Sequence, residues 1–438
     1  MSIAWIAILA VAALVGLNPA TWYVDPELGA IQTVHQDGAP HTDRRGQPMA
    51  RYDAVRSFLP IGVYHGLTGT HQGRNYDFAT LKQAGFNTVH GWEGQTLAPL
   101  HAAASRRGLQ LIYHNPTDAD VLAGRDSESI LAWYLDEEPT LRQWDPDWTE
   151  RLATFKARRD RIREMDPGRA VFVLDTPYID PPWRERWLAW NRAGDVSAHW
   201  NYPLTGKSTN ALTGRRGVPE TVATAVDAVA GQKPVWLVVQ AFASPLWDWR
   251  MPKEAELRAM VYAGIVHGAT GIIYFAHDSF VTRDGQVLGA APRAEIDYGD
   301  SPDYNRDGEP PLTVSQEDVA NSRLLWSAIA RLNGELTRLA PAILSPTARV
   351  DYAVEIEGGA DGGDAPVRTL LKDTGEGLVL IAVNVENKPV RVRFSFPKSV
   401  GTPKPYFSGQ AESRINDGTE SFAPFAVKVF AFVRRAGS

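Results

Sequence analysis

The sequence predicts a (β/α)8 barrel followed by a small antiparallel β-sandwich. Three observations carry this expectation. Between residues 58 and 343, eight short apolar runs alternate with segments of helical period. The runs are apolar throughout, as expected of parallel strands covered on both faces. Beyond Pro346 the period changes to two and no long helical segment follows.

Residues 58–64 (FLPIGVY) read as strand one, and in 76–85 Phe78, Leu81 and Ala84 share one helical face. Residues 87–92 (NTVHGW) form strand two, and the helix over 97–107 stops at Gly108, a residue suited to the left-handed position past a helix end. Strand three is 109–114 (LQLIYH) and strand four 130–135; a helix over 149–165 ends at Asp166-Pro167-Gly168. Strand five is 170–174 (AVFVL), then come a helix over 183–192, strand six at 195–200 and a helix over 219–230. Strand seven is 234–240 (PVWLVVQ), followed by a helix over 254–267, strand eight at 271–276 (GIIYFA) and a last helix over 316–339. Right-handed crossovers around eight parallel strands close a barrel. The competing doubly wound sheet carries a Gly-rich phosphate turn after strand one, whereas here that turn is Tyr64-His65-Gly66-Leu67. Runs 378–385 (LVLIAVNV), 390–396 (VRVRFSF) and 426–433 (AVKVFAFV) supply the sandwich. Residues 284–311 are a polar insert rich in Gly, Pro and Asp.

The expected organisation is therefore a signal peptide or N-terminal anchor over 1–20, an extension over 21–57, the barrel over 58–343 and the sandwich over 346–438. Residues 3–17 are almost wholly apolar, and no charged side chain precedes Asp25. That run has the length of a signal-peptide core and is short for a membrane span, so export to the periplasm or medium is expected. With no cysteine, disulfides, thiolate catalysis and sulfur-ligated zinc are excluded. A net charge of −6 with no basic stripe argues against a nucleic-acid partner.

Barrel chemistry sits where the strands end and the βα loops converge. Those ends carry Tyr64 and His65, His90, Trp92 and Glu93, His114 and Asn115, Asp136, Glu137 and Glu138, Asp175, His199, Asn201 and Tyr202, Gln240, and finally His277 and Asp278. Each strand is apolar up to its polar tip, a density that barrel stability does not require. Strand four ends Trp133-Tyr134-Leu135-Asp136-Glu137-Glu138-Pro139. Three adjacent acids at a buried strand tip repel one another and lose solvation, so at least one should hold its proton more tightly, as a general acid must. Strand alternation sends Asp136 and Glu138 to one side and Glu137 to the other.

A strand-four carboxylate followed by proline resembles the acid/base position of retaining (β/α)8 glycoside hydrolases, whose fourth strand ends in Asn-Glu, and sugar-cleaving barrels often carry a C-terminal β-sandwich. The resemblance implies Glu138 as acid/base and Glu137 in the Asn position. It also implies a nucleophilic Glu on strand seven, where this chain has Gln240. Asp278 or Asp175 is then the candidate base of an inverting reaction, with Asp136 and Glu137 tuning the acid. Asp136-Glu137-Glu138 also resembles, weakly, the Asp-x-Glu of substrate-assisted enzymes. A barrel that binds glycans without cleaving them is the alternative.

Fourteen tryptophans are more than average usage provides, and flat rings suit the C–H face of a pyranose. Trp92, Trp133 and Trp247 are candidate sugar contacts, with Tyr64, His65, His90, Glu93, His114, Asn115, His199, Asn201, Tyr202, Gln240 and His277 binding hydroxyls. No cofactor is expected. Asp303, Asn305 and Asp307 resemble the start of a calcium loop whose closing Glu is missing, since Val314 takes that place. A metal-dependent barrel hydrolase is a further alternative, although strand one lacks the His-x-His of that resemblance.

Overall fold

The structure is a computed structural model. It describes residues 58–433 except 67, 72–73, 92–93, 143–145, 207–211, 230–232, 283–284, 291–313, 346, 358–364, 398–399, 402 and 408–417. The N-terminal apolar run, Trp92, Glu93 and the calcium-like Asp303, Asn305 and Asp307 lie outside the described residues. No described helix is long and apolar enough to cross a membrane.

The barrel closes in chain order. Its strands are β1 (Ile61–Gly66), β2 (Thr88–Gly91), β3 (Gln110–His114), β4 (Ile130–Glu137), β5 (Ala170–Asp175), β6 (Val196–Asn201), β7 (Val235–Gln240) and β8 (Gly271–Phe275). Every adjacent pair is parallel, and β8 pairs back onto β1. The helices are α1 (Ala79–Gln83), α2 (Leu97–Arg107), α3 (Asp118–Gly124), α4 (Trp148–Met165), α5 (Trp183–Ala193), α6 (Val218–Ala228), α7 (Glu254–Val266) and α8 (Gln316–Leu344). Short α3 is not among the expected elements; Thr117 and Asp120 start it with a reciprocal capping box. Strand four runs two residues further than its apolar pattern, so two of its acids belong to the strand.

Two apolar cores follow from strand alternation. Inside the cylinder lie Tyr64, Ile112, Tyr134, Phe172, Leu174, Ala198, Trp236, Val238 and Ile273. Between strands and helices lie residues such as Val63, Val89, Leu111, Trp133, Val171, Leu237 and Tyr274. Burying such side chains contributes roughly 1.5–3 kcal/mol each, which makes both layers rigid supports for the strand tips.

The C-terminal strands are β9 (Ala353–Ile356), β10 (Val367–Asp373), β11 (Gly377–Asn384), β12 (Val390–Ser395), β13 (Lys404–Pro405), β14 (Thr419–Phe422) and β15 (Val427–Val433). They make antiparallel sheets ordered β9-β12-β14 and β10-β11-β15-β13. All eight residues of β11 are buried, because one face meets the sandwich core and the other meets α7. Beyond its first turn helix α7 is correspondingly apolar: from Leu257 to Val266 only Arg258 is not buried. Arg258 reaches Glu335 on α8 at 3.0 Å and the Val427 carbonyl of the sandwich at 3.0 Å.

Candidate active site

The C-terminal rim of the barrel is lined with rings. Seven strands contribute one at their inner face or tip: Tyr64 and His65 on β1, His90 on β2, His114 on β3, Tyr134 on β4, Phe172 on β5, Trp200 on β6 and Phe275 on β8. Tyr64 lies 4.3 Å from His90, His114 lies 4.5 Å from Tyr134, and Tyr134 stacks on Phe172 at 4.9 Å between ring centres. Across the opening, Trp200 stacks on Tyr202 at 4.6 Å, and Tyr202 meets Trp249 at 5.4 Å and Phe275 at 5.7 Å. Trp247, 5.0 Å from Trp249, continues this wall into solvent and is 46% exposed. Tyr134 and Phe275 are absent from the expected site. Their signal is present in the sequence, since each sits within two residues of a polar tip on the inward-facing alternation.

The three acids at the end of β4 are divided differently from simple alternation. A register shift against β5 between Tyr134 and Asp136 inserts a bulge, which re-aims the side chains after it. Asp136 turns outward to the helix layer, where Arg142 and Arg151 approach it at 3.4 and 3.1 Å. Its Oδ1 also accepts the Glu137 amide at 2.9 Å. Glu137 and Glu138 both act on the inner phenols of Tyr134 and Tyr202, whose proton affinity they raise on top of the dominant effect of burial. The acids that share the mouth are thus Glu137 and Glu138, and Asp136 is an ion-paired anchor.

Glu138 is the most unusual residue of the rim. Its φ is +49°, a left-handed conformation that costs a residue with a Cβ roughly 1–2 kcal/mol. His65 and Asn115, at the ends of β1 and β3, are also left-handed, with φ of +63° and +51°. Such conformations persist where surroundings over-determine them, and they cluster at functional sites. Burial raises the proton affinity of the Glu138 carboxyl, and the facing Trp200 indole partly opposes the rise. Desolvation, and not repulsion among the three acids, is the main cause.

Burial disfavours the charged form of His65 and His90. Burial holds His65 down to about 4, with Asp278 opposing the shift and His277 adding to it. Burial also holds His90 well below the ordinary value, and His65 and His114 push it further. His90 is 1% exposed, and neither ring nitrogen has a hydrogen-bond partner among the described residues. Asp278 is buried beside His277, with Oδ1 3.1 Å from Nδ1.

Several expected site residues serve the scaffold instead. Trp133 points away from the mouth and donates to Asp166 at 2.9 Å beneath the barrel. His199 faces the helix layer 5.8 Å from Trp187, where burial pushes it down to about 3. Asn201 donates to Thr221 at 2.8 Å and to the Arg216 carbonyl at 3.1 Å, tying β6 to the start of α6. Gln240 is fully buried: Oε1 accepts from the Leu204 amide at 2.9 Å, and Nε2 donates to the Leu204 and Arg250 carbonyls at 3.0 and 2.9 Å. It clamps the loops after β6 and β7 together and has nothing left for a sugar hydroxyl. Asp175 likewise spends both oxygens on Thr140 and Thr176. Asn115 is exposed at the rim. Among the described residues, no three or more acids and histidines come together as metal ligands.

No protein-family model matches the sequence, and no curated protein does. Solved structures that share the course of the chain include Amy13B of Eubacterium rectale, at 9% identity and a TM-score of 0.48, covering 86% of this chain and 98% of that one. An α-amylase from H. orenii aligns at 11% identity and 0.44, covering 86% and 100%. A GH30 endoxylanase from Clostridium papyrosolvens C71 aligns at 12% and 0.41, covering 86% and 97%.

Proposed function

We propose that the protein is a glycosidase in which Glu138 is the general acid and Glu137 the second carboxylate. The observation that supports this most directly is the Glu138 carboxyl: half-buried, held in a left-handed turn, raised in proton affinity by burial, and set against the Trp200–Tyr202–Trp249 wall. A carboxyl whose proton affinity is raised is better suited to deliver its proton to a leaving glycosidic oxygen. The rings offer flat apolar faces for a pyranose, and the half-buried imidazole of His65 offers a donor and an acceptor for hydroxyls. Glu137 replaces Asp175 and Asp278 as the best second group, because Asp175 has both oxygens engaged and Asp278 is buried against His277. Export, suggested by the N-terminal apolar run, would place the enzyme with polymeric glycans.

The test is a panel of oligo- and polysaccharides, with product anomers followed by NMR. Cleavage is expected for the wild type, and Glu138→Gln should lose about 10²–10⁴-fold in kcat. A Gln variant cleaving at the wild-type rate would remove Glu138 as the acid. Anomer retention or inversion then reports the working separation of the two carboxyls, about 5–5.5 Å or about 6.5–9.5 Å. One observation favours a second reading, glycan binding without cleavage: β7 presents no carboxylate to the mouth. Binding without products on the same panel would establish it.

A further inference from the structure

We propose that Asp175 is the positioning residue that holds Glu138 in its left-handed conformation, acting through Thr140; this rests on the reading of Glu138 as the acid. The end of β5 grips the segment on both sides of Glu138. Before it, the Leu174 carbonyl accepts the Glu138 amide at 2.8 Å. After it, Asp175 Oδ1 accepts the Thr140 amide at 2.9 Å, and Oδ2 accepts the Thr140 hydroxyl at 2.6 Å. The Thr176 amide, at 2.8 Å from Oδ1, fixes the carboxylate itself. Between the two grips stands Pro139, whose ring fixes its own φ, and the Leu141 amide closes the turn on the Glu138 carbonyl at 3.0 Å.

No solvent can substitute for these bonds. Asp175 is 1% exposed and Thr140 not at all. Three hydrogen bonds converge on this one side chain, from the Thr140 amide, the Thr140 hydroxyl and the Thr176 amide, so it is suited to hold a conformation that the Glu138 backbone resists. Asp175 itself reaches no substrate, since its oxygens are spent and its surface is covered. Its effect on the reaction passes through the direction in which Glu138 leaves the strand.

Three variants separate this role from simple stabilisation. Asp175→Asn keeps an oxygen for the two amides, and its NH2 can donate to the Thr140 hydroxyl, so the grip survives without the charge. Asp175→Ala removes it. Thr140→Val removes the hydroxyl while keeping the amide and the volume. Crystal structures of each would report the φ of Glu138, and kinetics on the cleaved glycan would report kcat, KM and the pH profile. In Asp175→Ala, Glu138 should leave the left-handed region, and kcat should fall on the order of 10²-fold with KM changed little. Asp175→Asn should restore both, and Thr140→Val should fall between. The proposal is overturned if Asp175→Ala leaves φ near its wild-type value or kcat unchanged, or if Asp175→Asn does not rescue. Should Asp175→Ala fail to fold, an unchanged φ and kcat in Thr140→Val overturn it equally. A wild type that cleaves no glycan removes the glycosidase reading alone, because the φ of Glu138 still decides the positioning.

Discussion

The tips of β4 and β7 began as equivalent places on one barrel and have been put to opposite uses. At β4 a bulge and a left-handed residue break regular strand geometry, and two carboxylates reach the mouth as a result. At β7 the strand runs regularly to its end, and Gln240 is consumed by three hydrogen bonds that join neighbouring loops. The lesson is that a polar residue at a barrel tip is a site candidate only when its hydrogen-bonding capacity is left over. Glu138 is half-buried in a left-handed turn at the mouth; Gln240 is fully buried and hydrogen-bonded to two loops.

Substitutions at the two tips break or sharpen this contrast. The largest effect belongs to Glu138→Gln, which should remove most of the activity while leaving the melting temperature within a few degrees of wild type. Gln240→Glu, a formal restoration of the strand-seven acid, should instead cost on the order of 3 kcal/mol in urea unfolding, because a carboxylate would face the Leu204 and Arg250 carbonyls in a dry site. A variant that gained activity at full stability would contradict the scaffold role of Gln240.

A smaller effect is expected from the pH dependence of stability. Burial pushes Asp175 up to about 7, whereas an unfolded Asp titrates near 3.9. Its raised value favours the protonated fold, so the contribution is complete below about pH 4 and is lost as pH rises through about 7. Asp175→Asn should therefore gain stability relative to wild type as pH rises across that window, read from urea midpoints. A difference independent of pH would mean that Asp175 does not titrate there. His65 and His199, held near 4 and 3, act in the opposite sense: their contribution is present above about 6.5 and is lost as pH falls toward those values. The smallest effect is reserved for Trp247→Ala at the outer end of the wall. It should raise KM for a long glycan by up to roughly tenfold with kcat and stability unchanged, as expected of one exposed ring contact. An unchanged KM would confine sugar contacts to the inner rings.

The fold was legible because its signals are repetitive. Eight apolar runs, Gly108 and the change of period at Pro346 each constrain the same architecture. The candidate site was legible only as a ring of positions. Which side of its strand each residue faces depends on local irregularity, and a single bulge after Tyr134 inverted the expected arrangement of Asp136 and Glu137. His199 and Asn201 were misassigned for a related reason: they stand one residue either side of the inward-facing Trp200, and nothing in their type says so. Gln240 and Asp175 were misassigned because their partners, Leu204, Arg250 and Thr140, lie in loops whose backbone groups carry no sequence signature.

The covering of α7 by β11 also bears on how this chain is inherited and handled. A helix buried from Leu257 to Val266 but for Arg258 cannot serve unchanged as the outer wall of a free-standing barrel, since parting the two would lay bare the apolar side that β11 covers. The sandwich is thus a wall of the house and not an annexe: exchanging it for another module requires rewriting the helix it leans on.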